Sequence, residues 1–240
     1  MIPAFEAALG NLRQSAKPIL FATGLDEAPY AGAGTGFLVL FHGGVYLLTA
    51  NHVVDRENLD DLVIFPTEKS SESIPFDARF SVLKPDPKQN DFGDLTIVRV
   101  ALDKLDMAER SLMHAIRLDT MHDQWRTEPG EYQFACFGYP TEAREVDYGK
   151  YRILSTQHLL VGRLAPASSA QHCFEIDIDD FNNVSDLDGF SGSPVVAISR
   201  SEHRDASLCG MAIRGSKANG RLRFIDVAAL LRALEQTLDA

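Results

Sequence analysis

The chain has 240 residues, 23 Lys plus Arg against 34 Asp plus Glu, and a formal charge of −11. That sign argues against a partner bound through its phosphate backbone, so no nucleic acid is expected. At 45% apolar residues the chain is long enough to bury roughly 70–75% of its unfolded surface without disulfide staples.

Residues 4–13 predict a short amphipathic helix, with Phe5, Ala8, Leu9 and Leu12 at helical spacing and Pro3 suited to the first turn. The pattern then changes to short β runs punctuated by Gly, Pro, Asn and Asp. PILFAT (18–23), GTGFLVLF (34–41), VYLLTA (45–50), LVIF (62–65), FSVL (80–83) and LTIVRV (95–100) form one set. The stretch 101–130 is polar, partly helical in pattern, and reads as a connection; its single Trp125 is assigned to packing. A second set follows: YQFACFG (132–138), YRILSTQHLL (151–160), FEIDI (174–178), SPVVAIS (193–199), LCGMAI (208–213) and RLRFI (221–225). About six strands in each half point to an all-β fold of sandwich or barrel type. Asp226 is placed to cap a final helix whose apolar stripe is Val227, Leu230, Leu231, Leu234 and Leu238.

Cys136, Cys173 and Cys209 each sit in an apolar run and read as buried small hydrophobes. None belongs to a cluster with zinc spacing, so no metal site is expected. The start lacks the layout of a secretory signal, and no apolar run reaches the ~18 residues needed to span a bilayer. A cytoplasmic protein with no membrane partner is the expectation.

Three strings carry chemistry. LLTANHVVD places His52 just past an apolar strand, NDFGDLTIVRV places Asp94 at the head of another, and LDGFSGSPVVAI places Ser191 in a Gly-flanked turn. Singly, each has an ordinary structural reading: a packed histidine, a turn aspartate, a loop serine. Together, in the order His, Asp, Ser with gaps of 42 and 97 residues (94 − 52 and 191 − 94), they resemble the trypsin-like serine peptidases of the disulfide-free bacterial type. The matching motifs are T-A-N-H-V, D-L-T-I and G-F-S-G-S-P, and the resemblance runs from about residue 18 to 225.

The resemblance implies a single chymotrypsin-like domain of two six-stranded antiparallel β-barrels with short terminal helices. The first barrel would span about 17–115 and hold His52 and Asp94; the second, about 125–225, would hold Ser191, with the C-terminal helix at 226–239. It implies a serine endopeptidase with no cofactor, acting on a polypeptide. His52 would be general base, Asp94 its orienting partner and Ser191 the nucleophile. The amides of Gly189 and Ser191 would form the oxyanion hole, and Gly189 lacks the Cβ that would forbid an unusual turn. Asp91, three residues before Asp94, is the competing carboxylate. Ser193 stands where the family often has Gly, and no Cys accompanies His52; neither departure removes a catalytic group.

The segment matching the family's substrate edge is GMAIRGS, so Ile213, Arg214 and Gly215 should line the groove and pair with an extended peptide. The family's pocket floor, six residues before the nucleophile, corresponds to Ser185, whose lack of charge favours a neutral or apolar substrate side chain; Arg214 could instead favour an acidic one. The acidic stretch with Asp177, Asp179, Asp180, Asp186 and Asp188 reads as a solvated loop, or alternatively as a trap for a basic substrate. His42, His114, His122, His158, His172 and His203 read as ordinary surface or packed histidines.

Two other functions compete with this one. A binding or regulatory module on the same fold, weakly or conditionally active, is the alternative, and it leaves room for an accessory or regulatory protein partner. An α/β-hydrolase is disfavoured, because its nucleophile motif ends in Gly where this chain has Ser193 and its histidine follows the nucleophile.

Overall fold

Short apolar runs, most of them buried on both faces, build two large β-sheets and a separate two-stranded hairpin, seen here in a computed structural model. The structure describes residues 3–55, 58–67, 70–81, 93–118, 123–147, 152–166, 172–181, 184–201 and 205–238. Asp91, His122, His203 and residues 82–83 of the fifth predicted strand lie outside them.

Helix α1 (Pro3–Ser15) leads into β1 (Ala16–Ala22), β2 (Tyr30–Phe41) and β3 (Gly44–Thr49). A one-turn helix α2 (Asn51–Val54) precedes β4 (Leu62–Val63), β5 (Phe76–Ser81) and β6 (Thr96–Val100). The connection carries α3 (Met107–Ser111), β7 (Ile116–Arg117) and α4 (Gln124–Thr127). The second half contains β8 (Tyr132–Gly138), β9 (Arg144–Asp147), β10 (Arg152–Ser155), β11 (His158–Leu164), β12 (Cys173–Asp180), β13 (Pro194–Ser199), β14 (Ala206–Ser216), β15 (Arg221–Asp226) and α5 (Val227–Leu238). The run 151–160, expected as one strand, is divided between β10 and β11. The short strands β7 and β9 had no clear apolar pattern to announce them.

Strands β11-β12-β15-β14-β13-β8 close into a six-stranded antiparallel barrel. The first half corrects the expectation of a second closed barrel. Its strands run in the order β4-β1-β2-β3-β6-β5, with β7 parallel to β2, and among the described residues the end strands β4 and β5 do not pair. It is a strongly curled half-barrel. Closure needs a ladder between the two edges, and β4 offers only two residues for one. Register shifts at Ile19/Leu20 and Phe76/Ala78 supply the curl.

Alternation sorts the second half's side chains between two cores. Phe134 and Cys136 of β8, Val195 and Ala197 of β13, and Leu222 and Phe224 of β15 face one core together with Trp125. Ala135, Phe137, Val196 and Ile225 face the other way, into a core shared with Phe37, Leu47, Ile97 and the first half. The two halves are therefore joined by one continuous apolar layer. Helix α5 packs on β14 and β15 through Val227, Ala229, Leu230, Ala233 and Leu234. Asp226 caps it as expected, accepting from the Ala229 N–H at 2.7 Å. Leu238, counted in the predicted stripe, is 48% exposed, and Ala229 and Ala233 take the inner face instead.

Candidate active site

His52 follows β3 on the single turn of α2. Buried Val53 and Val54 anchor that turn, which leaves the His52 ring about half exposed at the edge of a cleft. Asn51 ties the turn to β6, accepting from the Thr96 hydroxyl at 2.9 Å. Asp94, just ahead of β6, holds both ends of His52. Its Oδ1 accepts the backbone N–H at 3.0 Å, and its carboxylate meets ring Nδ1 at 2.7 Å through Oδ2 and 2.9 Å through Oδ1. A carboxylate only accepts, so Nδ1 carries the proton and Nε2 is left with a lone pair facing outward. The hydrogen bond to Asp94 raises the imidazole pKa above its usual 6.5. Burial opposes the rise, the fields of Asp94 and Asp55 add to it, and Arg214 works against it.

Ser191 sits in the turn 188–193 between two glycines of positive φ, Gly189 at +93° and Gly192 at +88°. Phe190, fully buried in the barrel core, pins the middle of the turn. A Cβ on Gly189 would lie 2.5 Å from the Tyr139 carbonyl oxygen and 2.8 Å from the Thr141 nitrogen, so both space and backbone angle demand glycine there.

The turn's carbonyls show where its amides point. The Asp188 carbonyl accepts from the Thr141 N–H at 2.9 Å, and the Phe190 carbonyl accepts from the Ser193 N–H at 3.0 Å. A trans peptide is planar, with its N–H directed opposite its C=O. Tying these two carbonyls therefore aims the Gly189 and Ser191 N–H groups to the other side of the turn. Ser193 is fully buried, with its hydroxyl against Gly138.

Ile213 forms a bulge in the β14–β15 ladder, where pairing jumps from Ala212 to Arg214. The bulge frees the Ile213 carbonyl, which accepts from the Ser191 hydroxyl at 3.0 Å. Ser191 thus donates to the backbone in this structure, and among the described residues it makes no hydrogen bond to His52.

His52, Asp94, Ser191, Ile213, Arg214 and Gly215 all line one cleft of about 460 Å³, with Asn51, Asp55, Leu187 and Asp188. Gly189 backs the same turn. Ser185 is not among the lining residues: it is exposed, and its amide is held by the Glu142 carboxylate. Counting back from the nucleophile ignores how the loop bends, and the bend brings in Leu187. Leu187 packs on Gly215, where an added Cβ would meet its Cδ1 at 2.5 Å. Of the five acidic residues singled out, Asp188 alone lines the cleft. Asp177 and Asp179 are paired with Arg221 at 3.0 Å and Arg163 at 2.7 Å on the barrel's outer face.

His42, His114 and His172 have positive φ, and His42 and His172 occupy turns. Cys136, Cys173 and Cys209 are buried free thiols. Among the described residues no group of three or more His, Cys, Asp or Glu side chains is arranged to hold a metal ion, and no helix is long and apolar enough to cross a membrane. Sequence reasoning missed Asp55, Leu187 and Thr141. Asn51 was missed as well; Asn51 and Asp55 lie inside the LLTANHVVD string and Leu187 opens the LDGFSGSPVVAI string, so position beside His52 and Ser191 was the signal within reach, whereas Thr141 had none. Compared with known proteins, the chain matches no protein-family profile and no curated protein by sequence.

Proposed function

We propose that the chain is a trypsin-like serine endopeptidase of the chymotrypsin fold. The observation that carries this reading is the 2.7 Å contact between His52 Nδ1 and Asp94 in the cleft that also holds Ser191. An imidazole fixed in that tautomer presents Nε2 as a base. Ser191 attacks the substrate carbonyl while His52 takes its proton. The Gly189 and Ser191 amides stabilise the oxyanion, and the proton passes to the leaving amine as the acyl-enzyme forms. Water activated by His52 then hydrolyses the ester. The peptide lies extended along the 213–215 edge beyond the β14 bulge. Leu187 over Gly215 gives the adjoining wall an apolar surface, which suits a neutral substrate side chain.

The hydrogen bond from Ser191 to the Ile213 carbonyl favours a second reading, a conditionally active or peptide-binding module. The hydroxyl must turn from that carbonyl to the imidazole before attack, and a bound peptide or partner could drive the turn.

Covalent labelling by a fluorophosphonate tests both. The peptidase reading expects labelling of the wild type, none of Ser191→Ala, and cleavage products from a denatured proteome with the wild type alone. A folded wild type that binds peptides yet is neither labelled nor proteolytic overturns the peptidase reading in favour of the second.

A further inference from the structure

Thr35 is one of few polar side chains in the shared core, fully buried in a strand run otherwise built of glycine and apolar residues. It belongs to β2, on the opposite half of the molecule from the nucleophile turn. Its position is set by four hydrogen bonds. The Thr35 N–H donates to the Ser191 carbonyl at 3.0 Å, and its hydroxyl donates to the Gly189 carbonyl at 2.6 Å. The hydroxyl in turn accepts from the Tyr139 N–H at 2.9 Å, and the Thr35 carbonyl accepts from the Thr49 hydroxyl at 2.8 Å. Gly192 lets the turn come this close, since a Cβ there would lie 1.8 Å from the Thr35 carbonyl oxygen.

With Thr35 included, four consecutive carbonyls of the turn have fixed partners. Asp188 is held by Thr141, Gly189 by the Thr35 hydroxyl, Phe190 by Ser193, and Ser191 by the Thr35 N–H. Gly189 is the weak point of this series. Its missing side chain and its φ of +93° make it the swivel about which the neighbouring peptides can rotate. The Thr35 hydroxyl holds the carbonyl on one side of that swivel, and the N–H on the other side is the one aimed at the oxyanion.

We infer that Thr35 is a positioning residue that holds the oxyanion-binding turn of the other half in its working conformation. The inference rests on the proposed hydrolytic reading. Thr35 touches neither substrate nor reacting atoms; its hydroxyl acts on the turn through the Gly189 carbonyl, while its backbone N–H, which holds the Ser191 carbonyl, is kept in every side-chain variant. Removing its hydroxyl leaves the Gly189 carbonyl and the Tyr139 N–H without their partner; the freed Gly189–Phe190 peptide lets the Gly189 swivel shift, and that loosens the adjoining Asp188–Gly189 peptide, whose N–H is aimed at the developing charge and whose carbonyl then has Thr141 alone to hold it. Loss of one oxyanion donor outright costs about 100- to 1000-fold in rate. A donor that is merely less well held should cost less, about 10- to 100-fold in kcat. KM should change by less than about threefold, because Arg214 and Gly215 are untouched.

The experiment compares wild type, Thr35→Val, Thr35→Ser and Thr35→Cys, using fluorophosphonate labelling rates and hydrolysis of a p-nitrophenyl ester. The expected order is wild type and Thr35→Ser fastest, Thr35→Cys slower and Thr35→Val slowest, with the loss in kcat. Wild-type labelling with Thr35→Val within twofold of it overturns the inference and leaves the hydrolytic reading standing. Thr35→Ser as slow as Thr35→Val also overturns it, since the methyl group and not the hydroxyl would then matter. If Thr35→Val does not fold, equal rates for Thr35→Cys and Thr35→Ser overturn it, because a thiol is the weaker donor. An unlabelled wild type overturns both readings together.

Discussion

Gly192→Ala puts a methyl group where the nucleophile turn of one half already touches strand β2 of the other. The new Cβ would stand 1.8 Å from the Thr35 carbonyl oxygen, 2.9 Å from the carbon bearing it and 2.6 Å from the Thr49 hydroxyl. Two of the three, including the shortest contact, are backbone atoms inside a sheet, so turning the Thr49 side chain aside does not relieve the clash. The φ of +88° adds strain of about 1–2 kcal/mol for a residue with a Cβ. Overpacking a tight interior adds about 1–3 kcal/mol. The 2.7 Å bond from the Gly192 N–H to the Ala212 carbonyl would be stretched, at about 1 kcal/mol. Together these come to roughly 3–6 kcal/mol, and at about 2–4 °C per kcal/mol for a chain of this size the expected fall in Tm is on the order of 10 °C. Gly220→Ala is the control. Gly220 also has positive φ, +66°, but an added Cβ there meets nothing within 4 Å, so only the backbone strain of about 1–2 kcal/mol should appear. Differential scanning calorimetry of the two variants measures the contrast. A Gly192→Ala protein melting within about 2 °C of wild type, or no lower than Gly220→Ala, would refute the packing argument.

Two further expectations concern pH. His52 acts as a base only when neutral, so esterase activity should rise through a pKa above the usual ~6.5, and Asp94→Asn should lower both that inflection and, by about 10⁴-fold, the rate; an inflection at or below 6.5 in the wild type would contradict the assigned hydrogen bond. The stability contribution of the pair runs the other way, being complete below the unfolded pKa of ~6.5 and fading as pH rises through the raised folded value. Lys17 tests a different sign. Burial lowers its pKa to about 8, while its ammonium donates to the Pro66 carbonyl. Between that value and ~10.5 the unfolded chain binds more protons than the folded one, so the Lys17 contribution to stability should improve with pH by up to about 3 kcal/mol. Lys17→Met should abolish that slope, and denaturant titrations of the two proteins at pH 7 and pH 9 would show it as a narrowing difference; an unchanged difference would show that Lys17 is not desolvated.

The parts of this protein that were legible in the sequence are those governed by neighbours along the chain. Short apolar runs at 132–138 and 221–225 announced β8 and β15, and the Asp226 carboxylate three residues before Ala229 announced the helix cap. The unusual backbone of the turn around Ser191 could be read from Gly189, because glycine accepts positive φ without strain, and the structure adds Gly192 as a second such position. The order of His52, Asp94 and Ser191 suggested that they meet, and the structure places all three around one cleft.

Tertiary structure alone decided the rest. Whether the first half closes depends on a ladder between edge strands remote in sequence, and β4 proved too short to form one. The cleft wall went to Leu187 and not Ser185, because the path of a loop is set by what anchors it, here Glu142. The bulge at Ile213 and the reach of Thr35 across to Gly189 join residues 22 and 154 positions apart. Local periodicity reports which side of its own strand a residue occupies. It carries no information about which distant carbonyl that residue will find when two sheets pack together.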